Sequence, residues 1–161
     1  MDHCLRVWDI RNGTMHQCMS NIHTSAVTSL SLFRASNNTS CILSGSLDRT
    51  IKVWNATTGE GLMDETVGDG VTCMAIAKDT SGVEFLLVGT ESGSIQCRLL
   101  EPQNNHPALK LIFATTSATG VTHNGAVRSL AAGPSGTFYS GGVDGNLKVF
   151  AFAGNLLQSL R

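Results

Sequence analysis

Three side chains in this 161-residue sequence are of the types that a catalytic triad uses: His23, Ser44 and Asp48. In such a triad a serine hydroxyl is the nucleophile, a histidine is its base and an aspartate orients the histidine. No Gly-x-Ser-x-Gly turn surrounds Ser44, however, and that turn is what exposes the nucleophile in one large class of hydrolases. The spacing of the three residues follows a repeat, so the sequence predicts a structural role for them and no catalytic residue or enzyme activity.

The repeat is visible as a recurring segment. Gly45–Trp54 returns as Gly141–Phe150, and Asp2–Trp8 is a copy without its beginning. The tryptophan position therefore recurs at Trp8, Trp54, Arg98 and Phe150. This period is close to the roughly 40–45 residues of a four-stranded β-propeller blade, with an insertion in the last repeat. The segments 102–107 and 115–122 are loop-like in composition and are the expected places for the extra residues.

Short strands separated by glycine, aspartate and asparagine turns are expected within each repeat. Ala26–Leu32 and Thr50–Trp54 alternate between apolar and polar residues, whereas Cys41–Gly45 is a short apolar run. The sequence predicts an all-β fold, a partial β-propeller of about three and a half four-stranded antiparallel blades. The expected divisions of the 1–161 domain are a half blade at 1–20, a blade at 21–66, a degenerate blade at 67–114 and a blade at 115–161.

These residues resemble the WD-repeat family over essentially the whole chain. The run Leu43–Trp54, together with Val127–Leu130, Gly133–Gly136 and Phe138, is similar to plant proteins that join CCCH zinc fingers to a WD-repeat propeller. The cysteine spacing of those fingers does not occur in this sequence. The RNA binding attributed to the fingers is therefore not carried over.

The resemblance implies a buried, hydrogen-bonded set of His, Ser, Asp and Trp in each blade, because such side chains can satisfy one another. The set is complete once, as His23, Ser44, Asp48 and Trp54. A second set, His123, Ser140 and Asp144, ends in Phe150 in place of the indole. We expect the blade of Phe150 to be held less firmly than that of Trp54. In the middle blade the corresponding residues are Asp69, Val88, Ser92 and Arg98, so the network is expected to be missing there.

The function implied by the resemblance is that of a non-catalytic scaffold for other proteins. Binding residues concentrate on loops that a rigid framework presents. The turn residues beside each aspartate position are the expected contacts on one rim of the propeller: Leu47, Arg49, Glu91 and Val143. The loops 21–25, 68–70 and 123–125 are expected at the same rim.

A sharper motif is Trp8-Asp9-Ile10-Arg11. It resembles the box by which some WD-repeat proteins dock on the adaptor of cullin-type ubiquitin ligases, with Arg11 making the contact. A substrate-receptor subunit of such a ligase is therefore an alternative function. A further alternative, an RNA-associated protein, rests on the zinc-finger relatives alone.

Charge and cysteine usage limit the other classes of partner. The formal net charge is −1 and the basic residues are dispersed, so the sequence does not predict nucleic acid as a partner of this chain. No apolar run approaches membrane-spanning length. The five cysteines follow no pairing pattern, which is typical of reduced thiols in an intracellular protein, cytoplasmic or nuclear.

His3, Cys4, His16 and Cys18 are of the types that bind a metal ion in a tetrahedral site. Adjacent residues such as His3 and Cys4 point to opposite faces of a strand, so the sequence predicts no metal and no cofactor.

Three and a half blades cannot close a ring of the usual seven. The sequence therefore predicts a piece of a larger WD-repeat protein with open blade edges, which are prone to self-association.

Overall fold

The computed structural model describes residues 3–35, 38–103, 106–117, 120–152 and 156–160, of which 101–107 and 156–160 are described by their backbone alone. Asp2, the expected aspartate of the half blade, lies outside these residues. The described residues form fourteen β-strands in four antiparallel sheets, which confirms the predicted all-β partial propeller.

The strands group into sheets in chain order. Sheet I contains β1 (Leu5–Asp9) and β2 (Thr14–Met19). Sheet II contains β3 (Val27–Arg34), β4 (Ser40–Ser46), β5 (Thr50–Asn55) and β6 (Gly61–Thr66). Sheet III contains β7 (Val71–Lys78), β8 (Glu84–Thr90), β9 (Ile95–Gln103) and β10 (His106–Ala114). Sheet IV contains β11 (Val127–Ala132), β12 (Thr137–Gly142), β13 (Leu147–Ala151) and β14 (Leu156–Leu160).

Sheets II, III and IV repeat one architecture. The first strands of successive sheets, β3, β7 and β11, lie next to one another and form the inner layer. Each begins with a register shift in the same place, at Val27, Val71 and Val127. Such a bulge increases the local twist of a strand, so its recurrence gives the three sheets a common shape.

Apolar side chains fill the spaces between neighbouring sheets. β4 and β8 are short apolar runs that are buried along most of their length, because a sheet packs on each of their faces. One cluster joins sheets II and III through side chains such as Leu43, Ile51, Val71 and Leu86. Another joins sheets III and IV around Phe138 and Phe150.

The insertion predicted between Arg98 and Phe150 differs from the sequence expectation. Of the loop predicted at 102–107, the described residues belong instead to paired strands, because β9 continues to Gln103 and β10 begins at His106. Pro102 and Pro107 lie opposite each other in this hairpin. Proline lacks an N–H donor, but β10 is the outermost strand of its sheet, where a missing ladder bond is tolerated.

Candidate partner-binding rim and its supporting networks

The triad-like residues of sheet II form a continuous chain of hydrogen bonds. The indole Nε1 of Trp54 donates to Ser44 Oγ over 2.9 Å, and Ser44 Oγ lies 2.9 Å from His23 Nε2. On the other side of the ring, His23 Nδ1 lies 2.9 Å from Asp48 Oδ2. Ser44 has no exposed surface, so its hydroxyl has no route to a substrate carbonyl. The geometry favours a structural role for these residues over a nucleophilic one.

Asp48 also joins the loop before β3 to the turn between β4 and β5. Its carboxylate accepts the backbone N–H of Thr24, in the loop before β3, and the hydroxyl and N–H of Thr50, at the start of β5. Burial raises the pKa of Asp48, but the hydrogen bonds from Thr50, Thr24 and His23 outweigh burial and lower the pKa to about 2. The loop and the turn are therefore held by a carboxylate that stays ionised.

Sheet IV repeats this arrangement. His123 Nε2 lies 2.7 Å from Ser140 Oγ, and His123 Nδ1 lies 2.9 Å from Asp144 Oδ1. The Asp144 carboxylate accepts the N–H groups of Asn124 and Asn146. Burial raises the pKa of Asp144, and the hydrogen bonds from Asn146, Asn124 and His123 more than reverse that effect, so the pKa lies well below its usual range.

Phe150 takes the place of the indole in sheet IV. It has no exposed surface and stacks on Phe138, with ring centroids 4.9 Å apart and an interplanar angle of 7°. The two residues lie directly opposite each other on β12 and β13. An aromatic pair thus replaces the bond that Trp54 makes to its serine.

Sheet III has Val88 and Arg98 at the serine and tryptophan positions, yet one link between its loop and its turn is present. Asp69, in the loop before β7, accepts the N–H of Ser92, in the turn after β8, over 3.0 Å. The same loop and turn are joined in sheet II, but there the carboxylate belongs to the turn and the N–H to the loop. The sequence comparison missed this link because the donor and the acceptor have exchanged sides.

Arg98 occupies the tryptophan position of sheet III. Its side chain is only 4% exposed, and it donates to Gln96 Oε1, to the carbonyl of Leu109 and to Glu65 Oε1, the last over 2.6 Å. Glu65 lies on β6, so this ion pair joins sheet III to sheet II. A buried guanidinium needs such partners, because an unpaired buried charge is costly.

Two further polar residues were not anticipated from the sequence. Gln96 and Lys148 lie opposite Val88 and Ser140 in equivalent registers, and both are buried. Gln96 donates to the carbonyl of Val67, and Lys148 donates to the carbonyls of Val121 and Thr122. The available signal for this link between strand and loop was a glutamine or lysine two residues before the tryptophan position, which is Arg98 in sheet III and Phe150 in sheet IV.

Four of the predicted contact residues lie at one rim. Leu47 and Arg49 are in the turn between β4 and β5, and Glu91 and Val143 are in the equivalent turns of sheets III and IV. Arg49, Glu91 and Val143 are exposed, whereas Leu47 is partly buried. Arg49 adopts a left-handed backbone conformation (φ 73°), which suits the tight turn that Asp48 holds. We call this surface the turn rim.

Arg11 lies elsewhere. It is in the turn between β1 and β2, which corresponds to the turn between β5 and β6 and hence to the opposite end of the strands. Its side chain is exposed, and its N–H donates to Asp9 Oδ1. The structure therefore separates Arg11 from the other four predicted contacts.

The structure brings no metal-ligand types together around His3 in the described residues. His3 Nδ1 donates to the carbonyl of Ser25 instead, and no group of three or more His, Cys, Asp or Glu side chains in the described residues is placed to hold a metal ion. The described part of the chain also contains no helix with the length and apolar character that a membrane span requires.

Comparison with known proteins agrees with this geometry. The model of the WD40 family (WD domain, G-beta repeat) matches residues 16–55 and 114–150. The first segment contains the network of Trp54 and the second contains that of Phe150.

The chain is also similar to a yeast protein and to two designed proteins of known structure. The COMPASS component SWD3 of Saccharomyces cerevisiae is 29% identical over 102 residues, which are 60% of this chain and 31% of that protein. The chain thus spans about a third of the length of this relative. The computationally designed Ika8 protein has a TM-score of 0.68 at 26% identity, over 99% of this chain and 43% of Ika8. The designed Ika4 protein has a TM-score of 0.61, also at 26% identity, over 87% of this chain and 75% of Ika4.

The two matched segments, the repeated sheets and the two His–Ser–Asp networks lead to one conclusion: the chain is similar to WD40-repeat proteins and is folded as part of a β-propeller.

Proposed function

We propose that this chain is a non-catalytic scaffold that binds another protein through the turn rim. The observation that carries the proposal is that carboxylates hold the rim in place through hydrogen bonds. Asp48, Asp69 and Asp144 each join a turn to the neighbouring loop. A surface that is held in place before binding loses less conformational entropy when a partner docks.

The side chains on the turn rim suit a protein partner. Arg49, Glu91 and Val143 offer a cation, a carboxylate and an apolar group on successive sheets. A mixed surface of this kind is typical of protein interfaces, in which charge sets orientation and apolar area supplies affinity. The similarity to SWD3, which is a component of the COMPASS complex, supports a role as one subunit of an assembly of proteins.

The chain offers a matched control for testing this surface. Lys78, Glu84 and Val83 also provide a cation, a carboxylate and a partly exposed valine, but they lie around the turn between β7 and β8, at the opposite end of the strands. One triple-alanine variant is made for each set.

Affinity purification from cytoplasmic and nuclear extracts, followed by quantitative mass spectrometry, compares the two variants with the unchanged chain. Proteins retained by the unchanged chain should persist with the Lys78, Val83 and Glu84 variant and be lost with the Arg49, Glu91 and Val143 variant. Equal retention by both variants would show that the turn rim is not the binding surface. The extract that supplies the retained proteins shows whether the partner is cytoplasmic or nuclear.

A second candidate is docking on a ubiquitin-ligase adaptor through the turn after β1. The exposure of this turn favours it, since Ile10 is 96% exposed and Arg11 projects beside it. A pull-down with purified adaptor should capture the chain and lose it on Arg11→Ala, while Arg34→Ala, another exposed arginine, is retained. An adaptor that fails to bind the unchanged chain removes this candidate. The finer resemblance to plant CCCH proteins, and the RNA association it would imply, stays a prediction from sequence alone.

A further inference from the structure

A buried N–H donor meets loop carbonyls at the same place in sheets III and IV. Gln96 donates to the carbonyl of Val67. The ammonium of Lys148 donates to the carbonyls of Val121 and Thr122. Both side chains lie on the third strand of their sheet, and both accepting loops lead into the first strand. The carbonyls at this place thus select a donor, and in sheet IV the donor is a cation.

Sheet II departs from this arrangement at Lys52. Lys52 has the register of Lys148, since each lies opposite the serine of its network. Its ammonium nevertheless donates to the carboxylate of Asp64, which lies opposite Lys52 on the outer strand β6. The residues in the place of Asp64 are Ala114 in sheet III and Ser159 in sheet IV, and neither is an acid. Asp64 therefore keeps Lys52 away from the loop.

The loop of sheet II is left with carbonyls that no side chain fills. Asn21 and Ile22 take the places of Val121 and Thr122, because the histidine of the network follows each pair. Within the described residues, neither the Asn21 carbonyl nor the Ile22 carbonyl accepts a hydrogen bond. Both residues line a pocket of 180 Å³, which we call the loop pocket and whose other lining residues are His23, Thr24, Asp48, Thr50 and Lys52.

The charges around the loop pocket favour a cationic ligand. Burial raises the pKa of Asp48, but its hydrogen bonds outweigh burial and lower the pKa to about 2, so the carboxylate stays ionised. The charge of Lys52 is balanced by Asp64. Carbonyls only accept hydrogen bonds, and an ammonium brings three N–H donors with a positive charge. Asn21 and Thr24 are exposed, so such a ligand reaches the pocket from solvent.

We propose that the loop pocket binds the ammonium group of an unmodified lysine side chain, supplied by the protein that docks on the turn rim. The partner's lysine takes the place that Lys148 fills in sheet IV, with its ammonium towards the carbonyls of Asn21 and Ile22. Asp48 lies between two residues of the turn rim, so one partner reaches both the rim and the pocket. This inference rests on the proposed scaffold function and adds a requirement to it, namely that the partner presents a lysine.

The probe is Nα-acetyl-lysine methylamide, which presents a lysine side chain without terminal charges. Titration into the isotopically labelled chain should shift the NMR resonances of the Thr24 and Thr50 amides until they saturate, since both amides donate to Asp48 at the pocket. The same probe acetylated on its side-chain nitrogen has lost the charge and should bind at least tenfold more weakly. Equal binding by the two probes, or shifts that never saturate, would overturn the proposal.

Asp64 provides a test that leaves every residue of the loop pocket in place. Asp64→Ala should release Lys52, whose ammonium then fills the pocket as Lys148 does in sheet IV, so that the probe binds at least tenfold more weakly. Adding Lys52→Met removes the competing ammonium and should restore binding. Glu84→Ala is the matched control, because it frees Lys78 at the opposite end of the strands with the same change in net charge. This control should bind the probe normally.

The reactivity of the Lys52 amine reports its position directly. When acetic anhydride labels the chain and mass spectrometry measures the product, Lys52 should react more slowly in Asp64→Ala than in the unchanged chain. Its rate should approach that of the buried Lys148, while Lys78, whose side chain is 63% exposed, serves as the fast reference in the same sample. A faster reaction of Lys52 in the variant would show that the freed ammonium turns to solvent, and the proposal would fail.

The probe is measured without any partner, which separates this inference from the proposed function. If the triple-alanine variant of the turn rim keeps the retained proteins while the probe binds, the rim proposal fails and the affinity of the pocket for an ammonium stands. If that variant loses the proteins but the probe does not bind, or Asp64→Ala keeps them, the lysine requirement alone fails.

Discussion

The networks of sheets II and IV share the residue types His, Ser and Asp. The residue at the tryptophan position is held by a different interaction in each sheet. In sheet II, Trp54 is half-buried and donates to Ser44. In sheet IV, Phe150 is fully buried and stacks on Phe138. The cross-strand neighbour decides between them, because Trp54 lies opposite Ile42 and Phe150 lies opposite an aromatic ring.

This difference changes the expectation that sheet IV is held less firmly. A typical hydrogen bond contributes about 0.5–1.5 kcal/mol net. An aromatic pair contributes about 0.5–1.5 kcal/mol beyond the burial of its area. The stack therefore offsets the lost indole bond, and we now expect the two sheets to have comparable local stability.

The largest test of the comparison removes the stack. Phe150→Ala should cost about 3–5 kcal/mol of unfolding free energy, because it deletes a fully buried ring and leaves a cavity beside Phe138. Urea denaturation measures the total, and hydrogen exchange in β12 and β13 measures the local part. Trp54→Ala should cost less unfolding free energy, since Trp54 is only half-buried. An equal or larger cost would show that the chain of hydrogen bonds, and not packing, is what stabilises sheet II.

The next test removes the feature that the two sheets share. His23→Leu and His123→Leu should each cost about 2–3 kcal/mol, because each leaves a buried serine and an aspartate without their common partner. Hydrogen exchange should show the loss in the loop and turn of the altered sheet alone. A cost confined to one of the two sheets would mean that the networks are not equivalent.

The sequence predicted the repeat, the strands and the side chains of these two networks because each depends on local pattern and spacing. It did not predict the exchange of donor and acceptor at Asp69 and Ser92, since a residue-by-residue match assumes that each role stays at its position. It also missed the ion pair of Arg98 with Glu65, which joins residues on different sheets. The compensation by Phe138 was missed for the same reason, because cross-strand pairing becomes visible only with the register.

A smaller effect is expected when the donor alone is removed. Trp54→Phe makes sheet II imitate sheet IV without its stack, since Ile42 lies opposite. The variant should lose about 1 kcal/mol, the net value of one hydrogen bond, because Ser44 keeps its bond to His23. The double change Trp54→Phe with Ile42→Phe should recover part of this loss if stacking is what replaces the indole. A double variant no more stable than the single one would contradict that account.

The last test concerns the aspartates, whose contribution to stability declines as the solution is made acidic. The folded pKa of Asp48 is about 2, below the roughly 3.9 of an unfolded aspartate. A depressed folded pKa contributes stability that is fully present above the unfolded pKa and is lost as pH falls through the folded pKa. The contribution of Asp48 should therefore be constant from pH 7 to about 5 and decline between about pH 4 and pH 2. The pKa of Asp144 is shifted in the same direction, so both sheets should weaken in acid.

Because other carboxylates titrate in this range, the measurement is the difference in unfolding free energy between the unchanged chain and Asp48→Asn at each pH. This difference should narrow towards pH 2, with the loss confined by hydrogen exchange to the Thr24 loop and the Thr50 turn, and a difference independent of pH would show that the charge of Asp48 does not hold the rim.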